Sequence, residues 1–183
     1  LRRIAHYDYW QDKTRSSVLS DSKADMIIYG MGEKPVLELA KRLSAGESIS
    51  QIQDLPSSVV FSASAPDSDA LLLPEAEKCS DKETFLAMTR LFSEHNGSKV
   101  IYQQSAKRWI RHNPPTAELT TPELDAIYDL PYQNKAHPVY EGKKIPAFEQ
   151  IKASLTSHRG CYGGCNFCAI ACHQGRKVQS RSE

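Results

Sequence analysis

Between Asn113 and Pro146 the chain meets a breaker every few residues, at Asn113-Pro114-Pro115, Thr121-Pro122, Leu130-Pro131, His137-Pro138 and Ile145-Pro146. Each proline lacks a backbone donor and biases the residue before it toward extended geometry. No long helix or central strand crosses such a stretch. It predicts an ordered connector over residues 113–146, with one short helix near Pro122 to Tyr128. Whatever forms on either side is built separately, residues 1–112 as one domain and residues 147–183 as the start of another. The 183 residues suffice for one core and a piece of a second, since domains commonly run to roughly 100–200 residues.

Within residues 1–112 the pattern is mixed. Tyr7, Trp10, Val18 and Leu19 recur loosely at helical spacing and predict a helix between His6 and Ser20. The apolar run Asp25-Met26-Ile27-Ile28-Tyr29 ends at Gly30-Met31-Gly32-Glu33, and Val36, Leu37, Leu39, Ala40 and Leu43 then form a helical stripe. Strand, glycine turn and helix is the unit from which parallel α/β sheets are made. The two glycines are too few for a dinucleotide fingerprint and predict a packing turn. Val59-Val60-Phe61-Ser62 predicts a second strand, and Asp81 to His95, with Phe85, Leu86, Met88, Thr89 and Phe92, an amphipathic helix. Lys99 to Gln103 and Arg108 to Arg111 are compatible with a hairpin that need not join the parallel sheet. Beyond the connector, alternation predicts a strand over Ile151 to Leu155, and another starts at Lys177. There are no internal repeats.

Charge excludes little but guides expectation. The 23 Lys and Arg balance 22 Asp and Glu to a formal +1, so a broad basic field for nucleic acid is not implied. His173, Arg176, Lys177 and Arg181 read as a solvated face. No apolar stretch reaches the roughly 18 residues of a membrane span, and Leu1-Arg2-Arg3 is not a secretory signal, so no membrane partner and a cytoplasmic location are expected. The chain lacks an initial Met and stops at Ser182-Glu183 just after a new element begins, which predicts a fragment of a longer protein.

Four of the five cysteines lie between Cys161 and Cys172. Cys79, among charged neighbours, reads as an incidental free thiol. In a reducing compartment clustered thiols hold metal or do redox chemistry. Cys161-x3-Cys165-x2-Cys168 places three thiolates on a loop short enough to curl onto one centre, and Gly160, Gly163 and Gly164 permit the curl. Spacing leaves the metal open. Zinc with Cys172 or His173 as fourth ligand is one solution. A four-iron cluster with three protein ligands and one open iron is the other. Cys172, one turn past Cys168, reads as a helix residue.

At these residues the chain resembles the radical S-adenosylmethionine superfamily, whose motif is Cys-x3-Cys-x2-Cys with an aromatic residue before the third cysteine, here Phe167. Wider text is similar to the YgiQ family of that superfamily: Leu1-Arg2-Arg3-Ile4-Ala5-His6-Tyr7-Asp8-Tyr9-Trp10, Tyr29-Gly30-Met31-Gly32-Glu33, Asn113-Pro114-Pro115, Leu130-Pro131-Tyr132, His137-Pro138-Val139-Tyr140 and Ser157-His158-Arg159-Gly160-Cys161. The resemblance implies an α/β fold, with an N-terminal parallel-sheet domain like the cobalamin-binding, flavodoxin-like domains, then the first strand and cluster loop of a (β/α) partial barrel. It implies a 4Fe–4S cluster on Cys161, Cys165 and Cys168, S-adenosylmethionine as cofactor, Phe167 against its adenine, and an electron donor such as flavodoxin or ferredoxin. It does not imply cobalamin, because none of the six histidines sits in an Asp-x-His-x-x-Gly pattern. Substrate and catalytic residues on it are not indicated, and further cofactor contacts would lie beyond Glu183. His158 and Arg159 stay outside the predicted site. In the fragment the loop is expected to be exposed, poorly ordered or without its cluster. A contrasting expectation is that the N-terminal domain is a structural or interaction module without catalysis.

Overall fold

The computed structural model describes residues 2–66 and 68–183; Leu1, which opens the Leu1-Arg2-Arg3 run, and Asp67 lie outside the described residues. The chain divides into two compact units, residues 1–116 and 117–183.

The first unit starts with strands β1 (His6–Asp8) and β2 (Lys13–Arg15), which pair antiparallel with His6 opposite Arg15. A helix was expected over His6 to Ser20; instead there is this hairpin and then the short helix α1 (Val18–Ser22). The reason is local. The Asp8 carboxylate accepts from the backbone N–H of Trp10 at 3.1 Å and of Gln11 at 3.2 Å, and from Arg15 Nε at 2.8 Å. Such bonds offer the backbone a turn in place of a helix. Asp12, at φ 48°, completes the reversal.

Strands β3 (Met26–Ile28), β4 (Ser58–Phe61), β5 (Leu71–Leu73), β6 (Ile101–Ser105) and β7 (Arg108–His112) form one sheet in the order β3-β4-β7-β6-β5. Helix α2 (Glu33–Ser44) lies between β3 and β4 in sequence, and α3 (Lys82–His95) between β5 and β6. The expected parallel sheet is corrected to a mixed one. The pairs β3/β4, β4/β7 and β7/β6 are antiparallel, and β5/β6 is parallel. Two causes are visible. Ala106 and Lys107, at φ 47° and 64°, make a tight two-residue reversal that forces β6 and β7 to run oppositely. After α2, the long return brings Ser58 back beside Ile28, so β4 enters at the end where β3 leaves and runs opposite to it. The parallel pair instead arises where α3 carries the chain from β5 back beside it, the helical crossover that parallel strands require. The Leu71-Leu72-Leu73 strand was not anticipated.

Apolar side chains pack in two groups. One joins Ile4, Ala5, Leu73, Ala76, Cys79, Met88 and Ile101, with Phe85 and Phe92 against it; the other joins Leu19, Val59 and Ile110, with Ile27, Tyr29 and Phe61. Gln103, 1% exposed, fastens the first group: its carbonyl accepts from the Ala5 N–H at 2.7 Å and its amide donates to the Pro74 carbonyl at 2.9 Å. Cys79 is buried, and burial pushes its thiol up, consistent with an inert thiol.

His112 is fully buried, stacked on Tyr29 at 4.8 Å and met edge-on by Phe92 at 5.1 Å. Arg3 Nη1 donates to His112 Nε2 at 2.9 Å while its guanidinium lies 4.1 Å from the Tyr29 ring centre. Burial, then the Arg3 charge, lowers His112 to about 3, and burial raises Tyr29 to about 12. His112 is therefore neutral in the fold.

The second unit contains α4 (Thr121–Tyr128), α5 (Pro146–Ile151), β8 (His158–Arg159), α6 (Ile170–Gln174) and β9 (Gln179–Ser180). The short helix expected near Pro122 is α4. At its start the Thr120 N–H donates to the Glu123 carboxylate at 2.7 Å, and Pro122 occupies the first turn, where its missing donor costs nothing. The strand expected over Ile151 to Leu155 is corrected: Ile151 ends α5, Leu155 is 90% exposed, and the strand forms later, at His158–Arg159. Pro146 favours the helical start, and an alternating pattern with no neighbouring strand buries nothing. The strand expected from Lys177 forms at Gln179–Ser180. Among the described residues no helix is long and apolar enough to cross a membrane.

A pH titration of stability tests the His112 environment. A folded-state value below the ordinary 6.5 means that the unfolded chain takes up the proton first, so stability is full above about pH 6.5 and drains as pH falls toward 3. Denaturant unfolding should show a loss of roughly 1 kcal/mol per pH unit across that window, and the slope should flatten in His112→Gln.

Candidate metal centre

The three cysteines of the spaced motif sit on a loop closed at its base by a two-stranded ribbon. Strands β8 and β9 pair antiparallel, His158 with Ser180 and Arg159 with Gln179. Just inside the ribbon, the Gly160 N–H donates to the Gln174 side-chain carbonyl at 3.0 Å, and the Cys161 N–H to the Gly175 carbonyl at 3.1 Å. Gly160 has φ +88°, and a Cβ there would lie 2.0 Å from the Lys177 carbonyl oxygen. Left-handed backbone and this close approach each require glycine. The loop is thus pinched shut at Gly160.

The ribbon is braced from α4. The guanidinium groups of Arg159 and Arg181, one from each strand or its extension, lie 5.1 Å and 4.9 Å from the Tyr128 ring centre, and Arg159 Nε donates to the Tyr128 hydroxyl at 3.1 Å. Asp125 accepts from the Ser182 N–H at 3.1 Å and pairs with Arg181 at 3.5 Å; Ser182 and then Arg181 hold its carboxyl below the usual range. The Leu119 N–H also donates to the Gln179 side chain at 3.1 Å. None of these partners was suggested by the sequence. Tyr128 carries no local signal that two arginines far along the chain will enclose it.

Within the loop, two thiols flank Gly163. The Gly163 N–H donates to Cys161 Sγ at 3.4 Å, and the Cys165 thiol points at the Gly163 carbonyl at 3.9 Å. A Cβ at Gly163 would sit 3.3 Å from Cys161 Sγ and 3.6 Å from Cys165 Sγ. A methyl group there would crowd Cys161 Sγ by a few tenths of an ångström and touch Cys165 Sγ. Cys168 follows through a turn in which its N–H donates to the Cys165 carbonyl at 3.1 Å. Cys161 and Cys168 are half-buried, and Cys165 and Cys172 exposed. Phe167 is 94% exposed, so its ring is presented to the outside of the loop and packs on nothing. His158 Nδ1 faces the Ser157 hydroxyl at 3.0 Å.

The structure therefore brings Cys161 and Cys165 to either side of Gly163 and does not gather the third thiol with them: among the described residues no three His, Cys, Asp or Glu side chains converge in metal-binding geometry. Soft thiol donors on a glycine-lined, solvent-open loop nonetheless suit an iron–sulfur group better than a hard cation. The loop is largely exposed, with Cys165, Phe167 and Cys172 open to solvent.

The family model described as Radical SAM N-terminal matches residues 1–154, ending just before the cysteine loop. A UPF0313 protein of Geobacter sulfurreducens is 46% identical over 189 aligned residues, which take in 100% of this chain and 31% of that protein. A UPF0313 protein of Methanocella arvoryzae is 47% identical over 188 residues, again 100% of this chain and 31% of its own length. One of Rhodopseudomonas palustris is 42% identical over 208 residues, with the same two shares. The chain spans about a third of the length of these curated relatives, and no solved structure matches it. The match through the N-terminal region and the alignment running on through the cysteine loop place the chain in the UPF0313 family, the YgiQ-like radical SAM proteins.

Proposed function

We propose that the full-length protein is a radical SAM enzyme in which Cys161, Cys165 and Cys168 hold a 4Fe–4S cluster. The observation that carries this reading is the pair of thiols flanking Gly163 on a loop whose neck admits only glycine, in a chain of this family. When bound, such a cluster with one open iron supplies the electron that cleaves S-adenosylmethionine into methionine and a 5′-deoxyadenosyl radical. The chain's own residues prepare the place. The three thiols give up their protons to become ligands. Gly163 keeps the gap between two of them unobstructed. Gly160 fixes where the loop leaves its ribbon, and the exposed ring of Phe167 offers an apolar surface for the adenine. The cofactor carries the hard chemistry, and the protein contributes binding and orientation.

In this reading residues 1–112 are the N-terminal domain, residues 113–146 its connector, and residues 147–183 the entry to the catalytic barrel. The enzyme works in the cytoplasm with a flavodoxin- or ferredoxin-class electron donor.

Anaerobic iron–sulfur reconstitution of the full-length protein tests the ligand set. About four iron per chain is expected, with a reduced-state paramagnetic spectrum that changes when S-adenosylmethionine is added. Alanine at Cys161, Cys165 or Cys168 should abolish the cluster, whereas Cys172→Ala should retain it. A spectrum indifferent to S-adenosylmethionine, or stoichiometric zinc lost with Cys172 or His173, would overturn the reading.

Two glycine variants separate the cradle from the neck. Gly163→Ala places a methyl group between two sulfurs and should lower iron content with the far-ultraviolet circular dichroism unchanged. Gly160→Ala should lower it as well, and additionally open residues 160–178 to limited proteolysis.

A further inference from the structure

Where β5 and β6 begin, the first unit holds a cavity of about 360 Å³ lined by Asp69, Leu71, Lys99, Val100, Tyr102 and Arg111. Small-molecule sites typically measure roughly 300–1,000 Å³. The sheet register assembles this wall. Tyr102 of β6 lies opposite Arg111 of β7, so both side chains share one face of the sheet, with the guanidinium 5.9 Å from the ring centre. Leu71 of β5 lies level with Ile101 of β6, which brings the residues just ahead of the two strands, Asp69 and Lys99, to the same end. Three side chains on the wall carry donors with no protein acceptor among the described residues: Arg111 at both Nη groups, Lys99 at Nζ and Tyr102 at its hydroxyl. Arg111 is half-buried, and only its Nε is engaged, donating to Asn113 Oδ1 at 2.9 Å. Asp54 feels the Arg111 charge but bonds Arg42 at 2.7 Å. Asp69 is exposed and accepts from the Ser68 hydroxyl at 3.1 Å.

We propose that this cavity binds a sugar phosphate, free or as part of a mononucleotide, with Arg111, Lys99 and Tyr102 on the phosphate oxygens and Asp69 on a sugar hydroxyl. The donor set selects the anion. A half-buried guanidinium with both Nη groups unmatched is a fork shaped for two parallel bonds to a carboxylate or phosphate. A phosphate monoester brings three acceptor oxygens, enough for the fork, the ammonium and the phenol together, where a carboxylate brings two. The Asp69 carboxylate would repel a bare anion but accepts from a hydroxyl, so the phosphate has to carry a hydroxylated group. Ala70, Leu71 and Val100 give that group an apolar side to lie on. A polynucleotide fits poorly, because two cations facing one carboxylate fall short of the basic field that a phosphate backbone needs. The inference makes no use of the cysteine loop.

The test is isothermal titration calorimetry of the full-length protein with ribose 5-phosphate, adenosine 5′-monophosphate, inorganic phosphate and ribose. At least one of the first two is expected to bind, more tightly than inorganic phosphate or ribose, and whichever binds more tightly names the source of the sugar phosphate. Arg111→Gln should weaken that binding roughly ten-fold or more, the loss of a charge-assisted pair of bonds. Lys99→Ala, at an exposed position that leaves folding untouched, should weaken it about three-fold. No heat from either sugar phosphate at millimolar concentration would overturn the proposal. So would inorganic phosphate or ribose binding as tightly as the better of the two, or an affinity that both variants leave unchanged, which would put the ligand elsewhere on the chain. Iron content of the same samples reports on the cluster independently, so the two readings fail separately.

Discussion

The geometry of the cysteine loop depends on one contact, the passage of the Gly160 backbone against the carbonyl of Lys177. Two strands of two residues each cannot hold a long loop by their own hydrogen bonds; isolated two-stranded ribbons are marginal in water. Pinching the backbones together at Gly160, and adding the bonds from Gly160 and Cys161 to Gln174 and Gly175, shortens the loop that thermal motion explores. The entropic cost of gathering distant thiols falls accordingly. Two of the proposed ligands, Cys161 and Cys165, already stand on either side of one glycine.

In the first unit the comparable constraint is a set of buried polar groups. Gln103 bridges the N-terminal segment to the carbonyl before the Ala76–Ser80 turn, and His112 receives Arg3. Groups of this kind are costly to bury unless bonded, and each specifies one partner. They fasten residues 3–5 across the sheet in a way that apolar packing alone would leave loose. Neutral His112 permits the Arg3 cation to approach because the ring offers it a lone pair and no opposing charge.

What was legible in the sequence was largely what is local. The stripe of Asp81 to His95, the runs Asp25–Tyr29 and Val59–Ser62, the hairpin of β6 and β7 and the helix at Pro122 follow from spacing and breakers, and each forms. Strand direction did not follow, because Gly30-Met31-Gly32 announces a turn into a helix but says nothing about the end from which the next strand returns. The first hairpin was hidden behind aromatic spacing that mimics a helical face, while the decisive feature was the carboxylate of Asp8 capping its own turn. Ile151 to Leu155 alternates without a neighbour to pair with. At the candidate site the three thiols were plain from their spacing, whereas the neck at Gly160 and the brace on Tyr128 require contacts between residues far apart in the chain, for which a single sequence holds no signal.

The brace has a further meaning. Because Arg159 and Arg181 take their bearings from Tyr128, the loop's orientation is inherited from a helix that precedes it by a long stretch of chain. The two ends of the stretch between helix and loop thereby become a single instrument, joined by side-chain contacts and not by nearness along the chain.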